Sequence, residues 1–543
     1  MNIRAFINKL NNNPLLSFGV FVALSFTIYA NVIHGEFLFD DNIFIQNNQF
    51  VKNADFKAIF TNGITQGSGL NDNFYRPLQQ CLYVLSYKIG GNSTWAYHIW
   101  GILFHGINGF LVFCLIKSLF PNRRNIAIIV AILFVLHPVQ TQAVSYISGL
   151  SEPLSAFFIL SCLLAYSYLS TSQKLWQNLL LLLVSILAAL LAVFSKENGI
   201  LAAPLAILIC LYKYKISNAK PSPIQLATPA ILLLIALSFI YLKLTVLNFT
   251  GNFGLSDQTN IYNEKIWVRM FTFITILPEY FRRLVFPFGL HYETPYTAFV
   301  TLKTPKALLS LLLLFLGLAY ALFNFRKKEY LPAIALMWFI IALAPVSGLI
   351  PLNSMYLEHW LYLPIIGFLL LAVHFGETIL SKFSAGWMIL IPICLLFAAG
   401  VFYRNTQWAS AEKFYRNELK FTKKSARVYN NLAMVLADQK RCNQAVEYYQ
   451  KAIRLYDVYP QSHHNMARCY EEMGMLNEAA NEYFNALLID PNFLYSHTKL
   501  PNVLLKLGDK VRAENFMKLQ IAIDQGQPLS QNDIKRAAMA EPM

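Results

Sequence analysis

Apolar segments long enough to cross a lipid bilayer alternate with short polar segments along the first 403 residues. A bilayer core needs roughly 20 apolar residues per helix. We identify about eleven such segments, near residues 15–33, 97–119, 125–138, 151–171, 177–195, 199–213, 223–247, 306–325, 331–349, 359–380 and 386–403. Two of them, 125–138 and 199–213, are short enough to be half-helices or core helices. The pattern predicts an all-α, polytopic membrane helical bundle.

Basic residues between these segments predict their orientation, because cytoplasmic loops are enriched in lysine and arginine. Placing Arg4 and Lys9 in the cytoplasm puts three basic clusters there as well, namely Lys117 with Arg123 and Arg124, Lys213 with Lys215 and Lys220, and Arg326 with Lys327 and Lys328. Segments 34–96, 248–305 and everything after about residue 404 then lie outside. If the apolar stretch from Val268 to Phe288 crossed the membrane, the last of these basic clusters would lie outside. We therefore predict an interfacial or re-entrant helix there.

The chain after residue 404 is polar and contains a repeat with a period of 34 residues. Alanines 433 and 467 are related by this period, as are Tyr449 and Tyr483. A 34-residue period is typical of the tetratricopeptide helix-turn-helix. We therefore predict a membrane domain over 1–403, an α-solenoid of these repeats over 404–525 and a disordered polar tail over 526–543. Asn431 and Asn465 recur on the first helix of adjacent units and are candidate acceptor-binding residues.

The composition agrees with a membrane protein, since 56% of residues are hydrophobic and 13% are charged, against about 25% charged in soluble domains. The net charge of +15 does not indicate nucleic-acid binding, because the basic residues lie between apolar segments and not on one soluble face. The seven cysteines form no CxxC pair and no Cys/His cluster with zinc spacing. Neither a disulfide scaffold nor a structural metal is indicated.

Two adjacent acids, Asp40 and Asp41, follow the first apolar segment directly. Paired carboxylates at a membrane surface are expensive to desolvate. Their chemical use would be as a general base for an acceptor hydroxyl or as ligands of a divalent cation such as Mg²⁺ or Mn²⁺. The sequence leaves metal dependence open.

Further polar residues recur at membrane depth, or where apolar segments meet the external side in this topology. Cations there could bind the phosphate of a lipid carrier, and carboxylates above them could activate an acceptor. For any single residue, a snorkelling anchor or an interhelical hydrogen bond is the alternative. The set comprises Arg76, His98, His105, His137, Glu152, Lys196, Glu197, Glu358 and His359.

Several motifs together resemble those of the transmembrane and tetratricopeptide-repeat O-mannosyltransferases of the GT-C superfamily. They are Phe39-Asp40-Asp41, Tyr75-Arg76-Pro77-Leu78, the His-rich helix ending at Asn108, the stretch from His137 to Val144, Ser195-Lys196-Glu197 and the stretch from Glu358 to Pro364. The resemblance runs from the first span into the repeats. The chain departs from the family pattern at Gln142 and Leu150, where glutamate and arginine are expected.

This resemblance implies a GT-C-like glycosyltransferase that moves a sugar from a polyprenyl-phosphate donor to a hydroxyl of an external protein or glycan. Asp40 or Asp41 would be the catalytic base, and Arg76, Lys196 and His359 would contact the donor phosphate. The supporting polar residues would be His98, His105, His137, Glu152, Glu197 and Glu358. The implied partners are a lipid-linked donor and a protein or peptide acceptor held by the repeats, with no nucleic acid.

Two other functions fit the same sequence. A non-catalytic membrane scaffold would recruit partners through the repeats, but it would not need paired acids beside an arginine at the membrane surface. A lipid-linked oligosaccharide ligase or transporter would need the same external cations. We expect a multi-pass protein of the bacterial inner membrane with its repeats in the periplasm, or of the endoplasmic reticulum membrane if the source is eukaryotic.

Overall fold

The computed structural model describes residues 9–70, 74–171, 173–217, 221–246, 261–293, 297–350, 352, 354–380, 386–539 and 541. Contacts divide the chain into a membrane unit, Met1–Tyr292 with Tyr296–Ser410, and a repeat unit, Glu293–Pro295 with Ala411–Met543. Arg4, Lys220 and residues 248–260 of the predicted second external loop lie outside the described residues.

The described part of the membrane unit is helical and contains no β-strand. Its thirteen main helices are α1 Pro14–Tyr29, α2 Pro77–Gly90, α3 Trp95–Leu119, α4 Arg124–Leu136, α5 Ser151–Tyr168, α6 Leu175–Ser195, α7 Ala202–Ser217, α8 Pro223–Tyr241, α9 Ile266–Val285, α10 Pro305–Arg326, α11 Leu331–Leu343, α12 Pro364–Leu380 and α13 Leu390–Trp408. Shorter turns of helix join them. The all-α prediction is confirmed.

Each of the eleven predicted spans overlaps a helix. Within the described residues, seven helices are long and apolar enough to cross a membrane. An eighth results if α4 and the following helical stretch Pro138–Ser145, which is bent from it by 51°, form one broken span. The predicted short segment 199–213 belongs to a 20-residue apolar helix, Glu197–Ile216, because the turn after Lys196 stays helical. Helix α9, predicted to be interfacial or re-entrant, is not among the seven.

Close packing of α1 against α3 depends on small residues. A Cβ on Gly106 would lie 2.8 Å from the Cα of Val22, so no side chain fits at this contact. One helical turn away, the Ser25 hydroxyl donates to the carbonyl of Ile102 across the same interface, at 2.8 Å. Small residues and hydroxyls are what allow helices to pack inside a bilayer, where lipid tails remove the hydrophobic drive for association.

The repeat unit consists of paired antiparallel helices. They are α14 Ala411–Phe421, α15 Ala426–Asp438, α16 Cys442–Leu455, α17 Pro460–Glu472, α18 Leu476–Ile489, α19 Leu494–Lys506, α20 Lys510–Asp524 and α21 Gln531–Ala537. Tyr449 and Tyr483 are fully buried, as are the small residues Ala433 and Ala467 against which neighbouring helices close. The predicted solenoid is confirmed.

Residues 526–539 of the tail are ordered and include a helix, contrary to the sequence-based prediction of disorder. Ser530 caps helix α21, its hydroxyl accepting a hydrogen bond from the amide of Asp533. Ile534 and Ala537 are fully buried in the apolar core that the last repeats form. A capping residue followed by apolar residues three positions apart is a helix-start signal that the polar composition concealed.

Candidate functional site

The turn that carries the two acids is held in an unusual conformation. Phe39 has a φ of +48°, in the left-handed region that a bulky residue rarely adopts. Its ring stacks on Tyr292 at a centroid distance of 4.9 Å and meets Tyr146 edge-on at 6.3 Å. Such strain persists only where surrounding contacts over-determine it, and it concentrates at functional sites.

The neighbouring acids occupy different environments. Asp41 is buried, and its carboxylate accepts hydrogen bonds from the Leu38 amide at 2.8 Å, the Ser148 amide at 2.8 Å and the Ser148 hydroxyl. Burial raises the pKa of Asp41 to about 7, although the hydrogen bonds from Ser148 and Leu38 act in the opposite direction. Asp40 is half-buried, and its amide donates to the Tyr146 hydroxyl at 3.2 Å.

A short segment, Ser148 to Glu152, connects the turn that carries Asp40 and Asp41 to a group of cations. Ser148 binds Asp41 at one end, while the Ser151 hydroxyl accepts from Arg76 Nη1 at 3.4 Å at the other. Glu152, the next residue, pairs with Lys196. Glu152 is one of the predicted site residues, whereas Ser148 and Ser151 are not, because uncharged serines give little signal in the sequence.

We call Arg76, Glu152, Lys196, Glu197 and Lys243 the cation cluster. Glu197 bridges two cations, with Arg76 Nε at 3.4 Å and Lys243 Nζ at 3.3 Å. The Lys196, Arg76 and Lys243 side chains are 7%, 12% and 13% exposed. Among the described residues, this nearly buried group contains three cations and two carboxylates. Lys243 is not among the predicted site residues, because it lies within an apolar segment beside the predicted second external loop.

The position of the Lys196–Glu197 turn is set by Gly199. A Cβ there would lie 2.3 Å from the backbone carbon of Ala192, so only glycine lets the turn fold back on α6. This contact directs two consecutive side chains to different partners: Lys196 pairs with Glu152, and Glu197 pairs with Arg76 and Lys243.

His359 lies at the edge of the cation cluster. Its Nε2 is 3.8 Å from Glu152 Oε1, and its amide donates to Gln142 Oε1 at 2.9 Å. Gln142, one of the two departures from the family pattern, thus positions the turn Glu358–Leu361. Leu150, the other departure, is buried in the apolar core around the first external loop.

Glu358 points away from its neighbour and into a second buried ion group. It pairs with Arg283, which is fully buried and also binds Glu279 at 2.8 Å. Arg404 Nη2 lies 3.8 Å from the other oxygen of Glu358, and the His291 amide donates to Glu358 at 2.8 Å. The structure therefore separates Glu358 from His359, although they are adjacent in the sequence.

The three remaining histidines of the predicted set are buried. His105 contacts the Tyr362 hydroxyl at 2.9 Å and the Val135 carbonyl at 3.2 Å. His137 Nε2 lies 3.0 Å from the Leu284 carbonyl, and its Nδ1 accepts from the Val139 amide. His98 packs close to Gly35. The contacts of His105 and His137 are hydrogen bonds between helical segments, and the structure does not place either residue in the cation cluster.

Asn431 and Asn465 occupy equivalent places on α15 and α17, and both are half-buried. Within the residues that the structure describes, no three His, Cys, Asp or Glu side chains are grouped so that they could hold a metal ion. A role in peptide binding and a divalent cation both stay predictions.

Comparison with known proteins gives relatives along most of the chain. It is 25% identical over 536 residues to the human "Protein O-mannosyl-transferase TMTC3", covering 89% of this chain and 57% of that protein. It is 26% identical over 452 residues to "Protein O-mannosyl-transferase F38B6.6" of Caenorhabditis elegans, covering 81% and 63%. The chain thus spans about three fifths of the length of these relatives.

A tetratricopeptide-repeat family model matches residues 424–488. Among solved structures, ArnT from Cupriavidus metallidurans bound to undecaprenyl phosphate has a TM-score of 0.42 and 12% identity, covering 88% of this chain and 80% of that chain. The Archaeoglobus fulgidus oligosaccharyltransferase has a TM-score of 0.38 and 14% identity, covering 73% and 55%. The sequence relatives confirm the resemblance to the tetratricopeptide-repeat O-mannosyltransferases.

Proposed function

We propose that this multi-pass membrane protein is a GT-C-type glycosyltransferase that moves one sugar from a polyprenyl-phosphate donor to a hydroxyl of an external protein or glycan. Because its relatives are named as protein O-mannosyl-transferases, mannose is the first sugar to test. The observation that carries the proposal is the link through Ser148–Glu152 between the paired acids and the cation cluster. A non-catalytic scaffold would have no use for this costly arrangement of buried charge.

The donor phosphate would bind at the cation cluster. Its three cations are held by Glu152 and Glu197, so they are oriented before the ligand arrives. As the sugar leaves, negative charge grows on the phosphate, and charge-assisted donors in a site with little water stabilise it. Arg76, Lys196 and His359 keep the role proposed from the sequence, and Lys243 joins them.

The acceptor proton would go to Asp40. Asp41 has both oxygens engaged by Leu38 and Ser148, so its role is to position the turn. Asp40 is the less buried of the two acids, which favours its carboxylate over that of Asp41 for contact with an acceptor hydroxyl. The hydroxyl oxygen of the acceptor attacks the anomeric carbon of the donor sugar, and the bond between that carbon and the phosphate oxygen breaks. The hydroxyl proton moves to the Asp40 carboxylate.

The test is transfer of radiolabelled sugar from the polyprenyl-phosphate donor by the purified full chain in proteoliposomes. Asp40→Asn should lower the transfer rate by about 10²- to 10⁴-fold, the usual contribution of a general base. Glu36→Gln, at an exposed acid four residues earlier, is the matched control and should transfer normally.

Full transfer by Asp40→Asn would rule out the base assignment. No donor turnover by the unmodified protein with any polyprenyl-phosphate sugar would favour the scaffold. Assays with and without a chelator decide whether a divalent cation takes part.

A further inference from the structure

A cavity of about 790 Å³ lies at the far end of the helices that build the candidate site. Helix α5 starts at Ser151, beside Arg76, and its last residue, Tyr168, lines this cavity. An α-helix of this length spans about 27 Å, so the cavity and the cation cluster are close to a bilayer core apart. The cavity lies between the carboxyl ends of α3, α5 and α7 and the start of α8.

The cavity is cationic. Lys117 and Lys213 both line it, and none of the described residues around it is acidic. Each ammonium donates one hydrogen bond to a backbone carbonyl, Lys117 to Asn11 and Lys213 to Ser167. A lysine has three N–H donors, so each retains two for a ligand. Capping of helix ends alone would explain one contact per lysine, but it would not explain an open cavity between them.

The rest of the lining suits a lipid headgroup. Ser118 and Ser167 add a pair of hydroxyls 2.8 Å apart. Tyr168 and Tyr214 are each 50% exposed at the rim, as tyrosines of the membrane interface are. Beside them, Leu211 and Ile216 on α7 are exposed apolar residues that acyl chains can cover.

We propose that this cavity binds the phosphate of an anionic phospholipid, in the leaflet opposite to the candidate site. Basic pockets between membrane helices on the cytoplasmic side recognise lipid phosphates in this way. The two lysines and the serine hydroxyls contact the phosphodiester, while the acyl chains lie against the exposed side of α7. This site does not depend on the proposed transferase function, because it lies outside the cation cluster.

The experiment is native mass spectrometry of the full chain purified in a mixture of phosphatidylglycerol and phosphatidylcholine. The unmodified protein should retain phosphatidylglycerol in preference to phosphatidylcholine. Lys117→Gln and Lys213→Gln keep a donor for the carbonyls but remove the charge. Each should lower retention about fivefold, and the double variant about thirtyfold, since a surface lysine contributes about 1 kcal/mol to anionic-lipid binding. Lys215→Gln is the matched control on the same helix, because Lys215 does not line the cavity.

Retention unchanged in the double variant, or equal retention of phosphatidylcholine, would overturn the proposal. Displacement of phosphatidylglycerol by millimolar inorganic phosphate would assign the site to the soluble ion instead. If the double variant unfolds, Thr171→Trp decides, because it fills the rim from an exposed position and leaves both lysines in place. It should reduce phosphatidylglycerol retention as well, and normal retention would contradict a headgroup in the cavity.

Discussion

At the residue scale, the two adjacent acids show how burial separates chemically identical side chains. Asp41 gains three hydrogen bonds at the cost of desolvation, while Asp40 stays half-buried beside it. Burial outweighs the hydrogen bonds and raises the pKa of Asp41 from 3.8 to about 7. The folded protein therefore binds a proton that the unfolded chain releases, between about pH 4 and pH 7.

This pKa predicts how stability depends on pH. The favourable contribution of protonated Asp41 is fully present below its unfolded pKa of 3.8 and is lost as the pH rises through about 7. The side chain of the Asp41→Asn variant cannot titrate, so the variant does not lose this contribution. Between pH 4 and pH 8 the unfolding free energy of the unmodified protein should therefore fall by a few kcal/mol relative to that of the variant. Thermal unfolding in detergent at several pH values measures it.

The matched control is Asp55→Asn, which changes an exposed helix cap in the same external loop. It should change stability little, because an asparagine side chain caps a helix about as well as an aspartate. A stability difference for Asp41→Asn that does not vary with pH would contradict the buried-acid interpretation.

The cations of the cluster carry a second prediction at this scale. Arg76→Ala, Lys196→Ala and Lys243→Ala should each raise the apparent KM for the lipid donor more than that for the acceptor. A charge-assisted hydrogen bond contributes about 1.5–3 kcal/mol, which corresponds to about 10- to 150-fold. Steady-state kinetics with both substrates varied measures the two constants.

Two controls separate donor binding from folding. Lys57→Ala removes an exposed cation of the same external loop and should change neither constant. Lys196→Ala leaves Glu152 buried without its partner, so the double variant with Glu152→Gln restores neutrality. Donor binding that recovers in this double variant would show that Lys196 is a structural partner and not a phosphate ligand.

At the scale of elements, the repeat helices present equivalent side chains to whatever binds the solenoid. Asn431 and Asn465 sit at the same register on α15 and α17, the first helices of adjacent units. Repeat solenoids bind extended ligands along a concave surface of this kind. Asn431→Ala with Asn465→Ala should lower transfer to a long native acceptor by up to about thirtyfold, at about 1 kcal/mol per amide hydrogen bond.

The same solenoid offers a matched control pair. Asn443 and Asn477 are also related by the repeat period, but they are exposed on the second helices, α16 and α18. Replacing both with alanine should leave transfer unchanged, and a short acceptor mimic should not distinguish the two double variants. Equal transfer by both double variants to the long acceptor would assign the repeats another role.

At the scale of the whole molecule, exposed apolar surface marks the lipid-facing helices. Only 11% of the apolar window of α10 is buried, against 78% for the helix Ile147–Tyr168 that leads from the candidate site. A soluble protein could not expose a helix such as α10 to water, whereas a bilayer covers it. This distribution places the helix that carries Ser151 and Glu152 inside the bundle and α10 at its periphery.

The membrane topology is testable at this scale. Single cysteines at the exposed positions Asn47 and Asn492, in a chain freed of its seven native cysteines, should react with an impermeant thiol reagent in intact cells. A cysteine at Asn122, also exposed but predicted to be cytoplasmic, should react only after lysis. Protection of either external position in intact cells, but not after lysis, would contradict the proposed topology.

Hydrophobic length and the repeat period are local properties, and the sequence by itself determined what depends on them. Each predicted span overlaps a helix, and the repeat model matches the region where the period was found. The helical cap in the tail also had a local signal in Ser530 and Asp533, but polar composition outweighed it in the prediction. Family motifs singled out Asp40, Arg76 and Lys196 as chemistry, without showing how they are connected.

Only the tertiary structure decided which charges meet, because those contacts join residues far apart in the chain. Arg76 and Glu197 are 121 positions apart, and Asp41 and Ser148 are 107 apart. The direction of a side chain at a turn depends on contacts that no sequence window contains, so Glu358 and His359 enter different groups. The contact of Lys243 with Glu197 and the cavity lined by Lys117 and Lys213 were likewise decided by the tertiary structure, because both depend on how distant helices pack.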